Sequence, residues 1–296
     1  MPPARRQSEV HVMVILLGLA AAVLYGSGDF LGGMATRRAH VLAVLLLADT
    51  AAVIVALAAA AMSPGPARLA GLAWGISAGL IGGLGLIIFY IGLATGPMSV
   101  VAPLSGLVST VLPVAVALGE GERPGAGVYA GALLCLAAIV LASSTRDTSA
   151  APQPARPEPG RAIAYGIASG AAFGVFFLLI RNAGQSGELW PVAAGRIGEL
   201  AVVLIAAAVL RRSLLPRGAS GGLLLAAAGA GVIDVVANIC YVAATRTGMF
   251  GLVVVLASLY PGVTVLLARV VLGERLRWVQ RAGLGLAAIG ILLVAA

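Results

Sequence analysis

Apolar runs of about twenty residues follow one another along most of this chain, parted by little more than a turn. A run of that length is what an α-helix needs to cross a hydrocarbon core of about 30 Å. Ten can be read, at 12–33, 41–62, 70–93, 97–118, 125–143, 162–181, 189–210, 221–244, 248–272 and 277–296. Ten such helices take about 200 positions. The remainder of the 296 suffices only for short loops and tails. The runs are continuous rather than alternating, which argues against a transmembrane β-barrel. With 60% hydrophobic and 10% charged residues, the chain has too little polar surface to cover a water-soluble globule. A soluble enzyme and a disordered protein are both excluded. The expectation is an all-α, multi-pass membrane protein of the cytoplasmic (inner) membrane, in contact with membrane lipids. The basic start, MPPARRQSEVH, leads into a run without a convincing cleavage site, so we read a retained first helix.

The longest polar interruption is SSTRDTSAAPQPARPEPGR at 143–161, rich in Pro and Ala and unable to bury itself. It divides the chain into a first unit, 1–142, and a second, 162–296, with five runs each. Setting position n beside n+152 from Gly96 and Gly248 aligns the last 49 residues without a gap, with about 13 identities. Gly121-Glu122-Arg123 falls on Gly273-Glu274-Arg275, and Ala130-Gly131 on Ala282-Gly283. Each unit also opens on an aromatic–Gly pair, Tyr25-Gly26 and Phe173-Gly174. Five spans per repeat is an odd number, so the second repeat must insert upside down. Inverted repeats place a site near the membrane midplane, and rocking one against the other exposes it to either side.

All nineteen basic residues are Arg, which GC-rich coding accounts for most simply, and the net charge is +8. They scatter over short loops, so no nucleic-acid partner is implied. Cys135 and Cys240 lie in apolar runs and read as small buried hydrophobes. With only His11 and His40 beside them, no metal site can be assembled. The Gly-rich text is no nucleotide loop, because GxxxxGK[ST] is absent and no Lys exists to complete one. No cofactor and no catalytic residue is expected. A membrane enzyme of lipid or prenyl chemistry would call for a DDxxD or a His-based acid/base pair, and neither is present.

An ionisable side chain inside a span costs roughly 2.5–3.5 kcal/mol on insertion scales, so each one is a functional candidate. Arg196 and Glu199 stand at i, i+3 in the seventh span. Either they form a structural ion pair, or Arg196 offers its planar fork to an anionic group in a cavity. Asp234 and Asn238, with Tyr241 three further on, make a polar stripe on the eighth span. It is a helix–helix contact, a partner neutralising Arg196, or a cavity wall with Asp234 titrating a coupling proton. Asp29 either ends the first helix or forms a cavity face with Tyr25 at i, i+4. Asp49 reads as structural. Pro103, Pro113 and Pro261 are kink candidates within the fourth and ninth spans. Ser105, Ser109 and Thr110, opposite Ser258 and Tyr260, either line a cavity there or belong to ordinary kinked packing. Glycines such as Gly79, Gly82 and Gly83 read as close helix contacts. Glu122-Arg123 and Glu274-Arg275 read as capping and interface pairs.

The two five-span repeats, the aromatic–Gly opening and above all SLYPGVTVLLARVVLGERL at 258–276 resemble the EamA-type family of the drug/metabolite transporter superfamily. The first repeat keeps the ending in APLSGLVSTVLPVAVALGEGER but lacks the Tyr-Pro. The resemblance covers essentially the whole chain. It implies a basket of helices around a central cavity, and transport of amino acids, related metabolites or drugs, often as efflux. It also implies an arginine in the seventh helix soon after a proline, which Arg196 after Pro191 matches. The family places both termini inside. The arginine count leans the other way, with six on the N-terminal side and twelve opposite once Arg196 is set apart. The expected function is a secondary transporter of a small-molecule substrate, with protons as the possible coupling ion and a homo-oligomer as a possible assembly. The alternative is a structural, regulatory or lipid-translocating protein on the same fold.

Overall fold

The computed structural model describes residues 3–63, 65–96, 98–123, 125–143, 159–186, 189–211, 220–247, 250–271 and 278–295. They are helical almost throughout and form eleven α-helices. These are α1 (Pro3–Thr36), α2 (Val41–Met62), α3 (Leu69–Thr95), α4 (Met98–Gly119), α5 (Ala126–Ser143), α6 (Pro159–Ala183), α7 (Trp190–Val209), α8 (Gly221–Thr247), α9 (Phe250–Ala257), α10 (Tyr260–Val271) and α11 (Trp278–Ala295). A single 3-10 turn, Gly184–Ser186, follows α6. Eight stretches among the described residues are long and apolar enough to cross a membrane. The eighth, Phe250–Ala268, runs over both α9 and α10. The last helices of each half, α5 and α11, have 18 residues apiece. At about 1.5 Å per residue each is about 27 Å long.

Several boundaries differ from the sequence reading. Helix α1 takes up the polar N-terminal residues from Pro3 and runs on to Thr36, so Asp29 lies within the helix and does not end it. The linker core, 144–158, and the Glu274-Arg275 pair lie outside the described residues. The ninth run is not one helix but two, interrupted at Ser258-Leu259. The cause is local. Pro261 has no N–H to give the carbonyl of Ala257, and its ring crowds that carbonyl. The chain instead makes two tight turns, with Leu259 N–H donating to Leu256 O at 3.2 Å and Gly262 N–H to Leu259 O at 2.9 Å. Pro261 therefore sits at the start of α10, whereas Pro103 and Pro113 lie inside an unbroken α4. The break is held from α4, where the Thr110 hydroxyl donates to Ser258 Oγ at 2.6 Å.

Helices of the first half pack mainly on helices of the second. Helix α1 lies on α8, α2 on α7 and α8, α3 on α6 and α7, α4 on α6, and α5 on α11. Small residues permit these contacts. A Cβ on Gly79 of α3 would lie 1.9 Å from the Gly195 carbonyl oxygen of α7, and one on Gly231 of α8 would lie 1.9 Å from the Ala48 oxygen of α2. Backbones approaching this closely are the usual device for joining helices where lipid removes the hydrophobic drive between them. The outer faces are apolar, with Leu225, Val209 and Val111 strongly exposed. Arg196, Glu199, Asp49 and Asn238 are turned inward and buried. Polar groups inside and apolar groups outside is the arrangement that lipid surroundings demand.

Candidate functional site

The inward polar groups converge on one cavity. Its volume is about 50 Å³. Helix α1 contributes Tyr25 and Asp29, α3 Gly82 and Leu86, and α6 Phe173, Phe176 and Phe177. Helix α7 contributes Arg196 and Glu199, α8 Asp234 and Asn238, and α10 Tyr260. Both halves of the chain thus supply walls.

Helical spacing sets the charged wall. Arg196 and Glu199, three residues apart, share a face of α7, and Arg196 Nη1 donates to Glu199 Oε2 at 2.6 Å. The same nitrogen forms an ion pair with Asp234 Oδ2 of α8. Arg196 is 3% exposed and Glu199 4%, so the pair is shielded from water and lipid alike. Asp234 continues into Asn238 one turn along, whose Nδ2 donates to the Asp234 carbonyl at 2.9 Å. The Tyr25 hydroxyl closes the chain by donating to Asn238 Oδ1 at 3.0 Å. One hydrogen-bonded network therefore links α1, α8 and α7. Asp49 of α2, 2% exposed, lies within electrostatic reach of Arg196 and leaves its Oδ2 unpartnered among the described residues.

The guanidinium is already engaged by two carboxylates, so an incoming anion would have to displace one of them. The geometry favours the ion-pair reading of Arg196 over the anion-binding one. Asp29, by contrast, faces the cavity with no hydrogen bond or ion pair among the described residues.

Opposite this wall the site is aromatic. Tyr25 meets Phe177 at 6.0 Å and Tyr260 at 6.4 Å between ring centroids, both edge-to-face. Gly26 lets α1 come up against the start of α10, since a Cβ there would lie 2.5 Å from the Tyr260 carbonyl oxygen.

Tyr25, Asp29, Arg196, Glu199, Asp234, Asn238 and Tyr260 are thus brought together. Other expected lining residues stand behind the wall. Tyr241 is buried against Phe177, with centroids 4.8 Å apart, and its hydroxyl donates to the Phe177 carbonyl. Ser105 accepts from Ser169 Oγ at 3.1 Å, which joins α4 to α6. Ser109 turns back to its own helix, donating to Gly106 O at 3.0 Å. Ser258 serves the helix break rather than the cavity. Pro261 packs on Gly106 of α4. Sequence reasoning missed Phe173, Phe176, Phe177, Gly82 and Leu86. A signal for the phenylalanines existed: three of the six in the chain fall within five residues, at i, i+3 and i+4.

The fold and cavity define a class: a polytopic helical membrane protein whose halves enclose a charged, aromatic-walled site. Residues 160–296 match the model of the EamA-like transporter family. The segment 258–276, on which the resemblance rested, falls inside it. A solved crystal structure superposes with a TM-score of 0.73 over 95% of this chain and 95% of its own, at 19% identity. At that identity the likeness shows the fold alone. No curated protein matches the sequence.

Proposed function

We propose that the protein is a secondary transporter, carrying small organic metabolites across the cytoplasmic membrane by alternating access. The central cavity is the solute site. The observation that carries this reading is the convergence of Asp29, Arg196, Glu199 and Asp234 in one cavity inside an apolar bundle, walled by six helices from both halves. Four ionisable groups at membrane depth are costly, and a solute pathway gives them a use.

The pairing of helices supports two inverted five-span repeats, ten spans in all. Exchange α1 to α5 for α6, α7, α8, the α9–α10 pair and α11, and the α1–α8 contact becomes α6–α3, while α4–α6 becomes α9/α10–α1. Each of these pairs is in contact. At residue level Gly18 packs on Leu256 while Gly166 packs on Leu104, and Leu104 and Leu256 are n and n+152. The proposed direction is efflux, driven by a gradient, with protons as the coupling ion.

The test is a comparison of growth media. Cells expressing the wild type, Asp234→Asn or empty vector are grown alike and their media profiled by mass spectrometry. One solute class enriched outside with the wild type only is the expected result. Three matching profiles would overturn export and favour a structural or lipid-translocating role.

A further inference from the structure

Three carboxylates gather round Arg196, and only two of them pair with it. Glu199 and Asp234 share its Nη1. The third, Asp49, comes from α2, which packs on both α7 and α8. The Ala48 carbonyl rests against Gly231 of α8, and Ala52 is buried in one cluster with Val235 of α8 and Ala193 of α7. Asp49 therefore stands at the level of Asp234 and Arg196, behind the lining of the cavity. It is 2% exposed, and its Oδ2 makes no hydrogen bond among the described residues. Facing it are Arg196 and Glu199 of α7, Asp234 of α8 and Tyr90 of α3. From α1, Tyr25 and Asp29 line the cavity instead.

One guanidinium against Glu199 and Asp234 already leaves a net negative charge. An ionised Asp49 would add another, shut off from solvent and without a counter-charge of its own. A neutral acid leaves at most a hydroxyl unpaired, which costs far less. Asp49 can ionise where it stands only if Arg196 turns to it. The partner Arg196 then gives up is Asp234. Its side chain is 29% exposed, against 5% for Glu199, so water in the cavity can take over its oxygens.

We infer that Asp49 and Asp234 are two seats for one proton, with Arg196 moving between them as the counter-charge. In the arrangement described here the proton is on Asp49 and the guanidinium on Asp234. In the other, the O–H bond at Asp49 has broken, one has formed at Asp234, and the guanidinium lies on Asp49. The net charge of the cluster is the same in both. From Asp234, which lines the cavity, the proton passes to water or solute. This rests on the transporter reading and adds to it the residues that carry the coupling proton.

The experiment is infrared spectroscopy of the full-length protein in lipid nanodiscs, reading the C=O stretch of protonated carboxyls. At neutral pH the wild type is expected to show an acid band that shifts in heavy water. Asp49→Asn should abolish that band, and Asp49→Glu should move it. Asp234→Asn should also abolish it, because Arg196, released from its competitor, turns to Asp49 and favours its ionised form. Asp29→Asn should leave it in place. A merely structural Asp49 would not respond to Asp234→Asn. Thermal melting checks that each variant is folded; where Asp49→Asn is not, Asp49→Glu carries the assignment. A band unmoved by substitution of Asp49 overturns the inference, and so does one that survives in folded Asp234→Asn or vanishes in Asp29→Asn. The comparison of growth media separates the two readings. Loss of export in Asp49→Asn is expected, and export that persists unchanged in that variant also overturns the inference. Export by the wild type with no band assigned to Asp49 keeps the carrier and sinks the two seats. The expected bands with no exported solute keep the seats and sink the carrier.

Discussion

Glu122, in the turn after α4, accepts a hydrogen bond from the backbone N–H of Phe250 at 2.7 Å, across 128 positions of sequence. Its other oxygen accepts from Gly251 N–H at 2.9 Å. A carboxylate from one half thereby satisfies amides that the first turn of α9 cannot pair internally. Beside it Arg181 lies 4.1 Å over the Phe250 ring and pairs with Glu120 at 2.8 Å. Glu122→Ala should cost about 1–2 kcal/mol. Glu120→Ala should cost under about 1 kcal/mol, because that carboxylate is half exposed. Thermal melting of the two purified variants checks the ranking.

Arg196 pairs with two carboxylates at once, the buried Glu199 and the partly exposed Asp234. Arg196→Ala strands both and is expected to cost about 3–5 kcal/mol. Asp234→Asn keeps the shape and leaves the Glu199 pair intact, so it should destabilise less. Both variants should abolish transport while still reaching the membrane fraction. Membrane-fraction blots beside a transport assay test this, and full activity in both variants would remove the central cavity from the mechanism.

The contact of α3 with α7 leaves no room for a side chain at Gly79. Gly79→Ala is expected to cost about 1–3 kcal/mol, the usual range for overpacking. Gly229 of α8 meets nothing within 4 Å, so Gly229→Ala should be neutral or slightly stabilising. Melting temperatures measured in one detergent decide between them.

Thr110 and Ser258 tie α4 to the broken span. A double-mutant cycle with Thr110→Val and Ser258→Ala should give a coupling of about 0.6 kcal/mol, ordinary for a hydrogen bond between membrane helices. A coupling near zero would mean that the break stands without the bond.

The charged half of the cavity was readable because ionisable residues in an apolar span are conspicuous. Asp29, Arg196, Glu199 and Asp234 announce themselves by type, and Tyr25 and Asn238 follow from helical spacing. The aromatic half was concealed, since Phe173, Phe176 and Phe177 are apolar residues in apolar text, and only the rotation of α6 aims them inward. Rotation also decides that Tyr241 and Ser109 stand behind the wall. Nor does the sequence tell Pro261, which breaks its span, from Pro103 and Pro113, which do not. At Pro261 the freed carbonyl is accompanied by two tight turns, which a hydrogen bond from Thr110 to Ser258, 148 positions apart, holds against α4.

The meeting of Gly79 with Gly195 has a bearing on motion. Where side chains interlock, one helix can slide on another only if rotamers exchange, and each exchange raises a barrier. Here peptide backbone rests on peptide backbone, and Gly75 and Gly198 extend the same smooth track against Pro191 and Ile76. Along this stretch few rotamers need exchange, and little side-chain entropy is lost or regained. This stretch of the α3–α7 contact is therefore shaped like a bearing, close enough to hold and plain enough to slip.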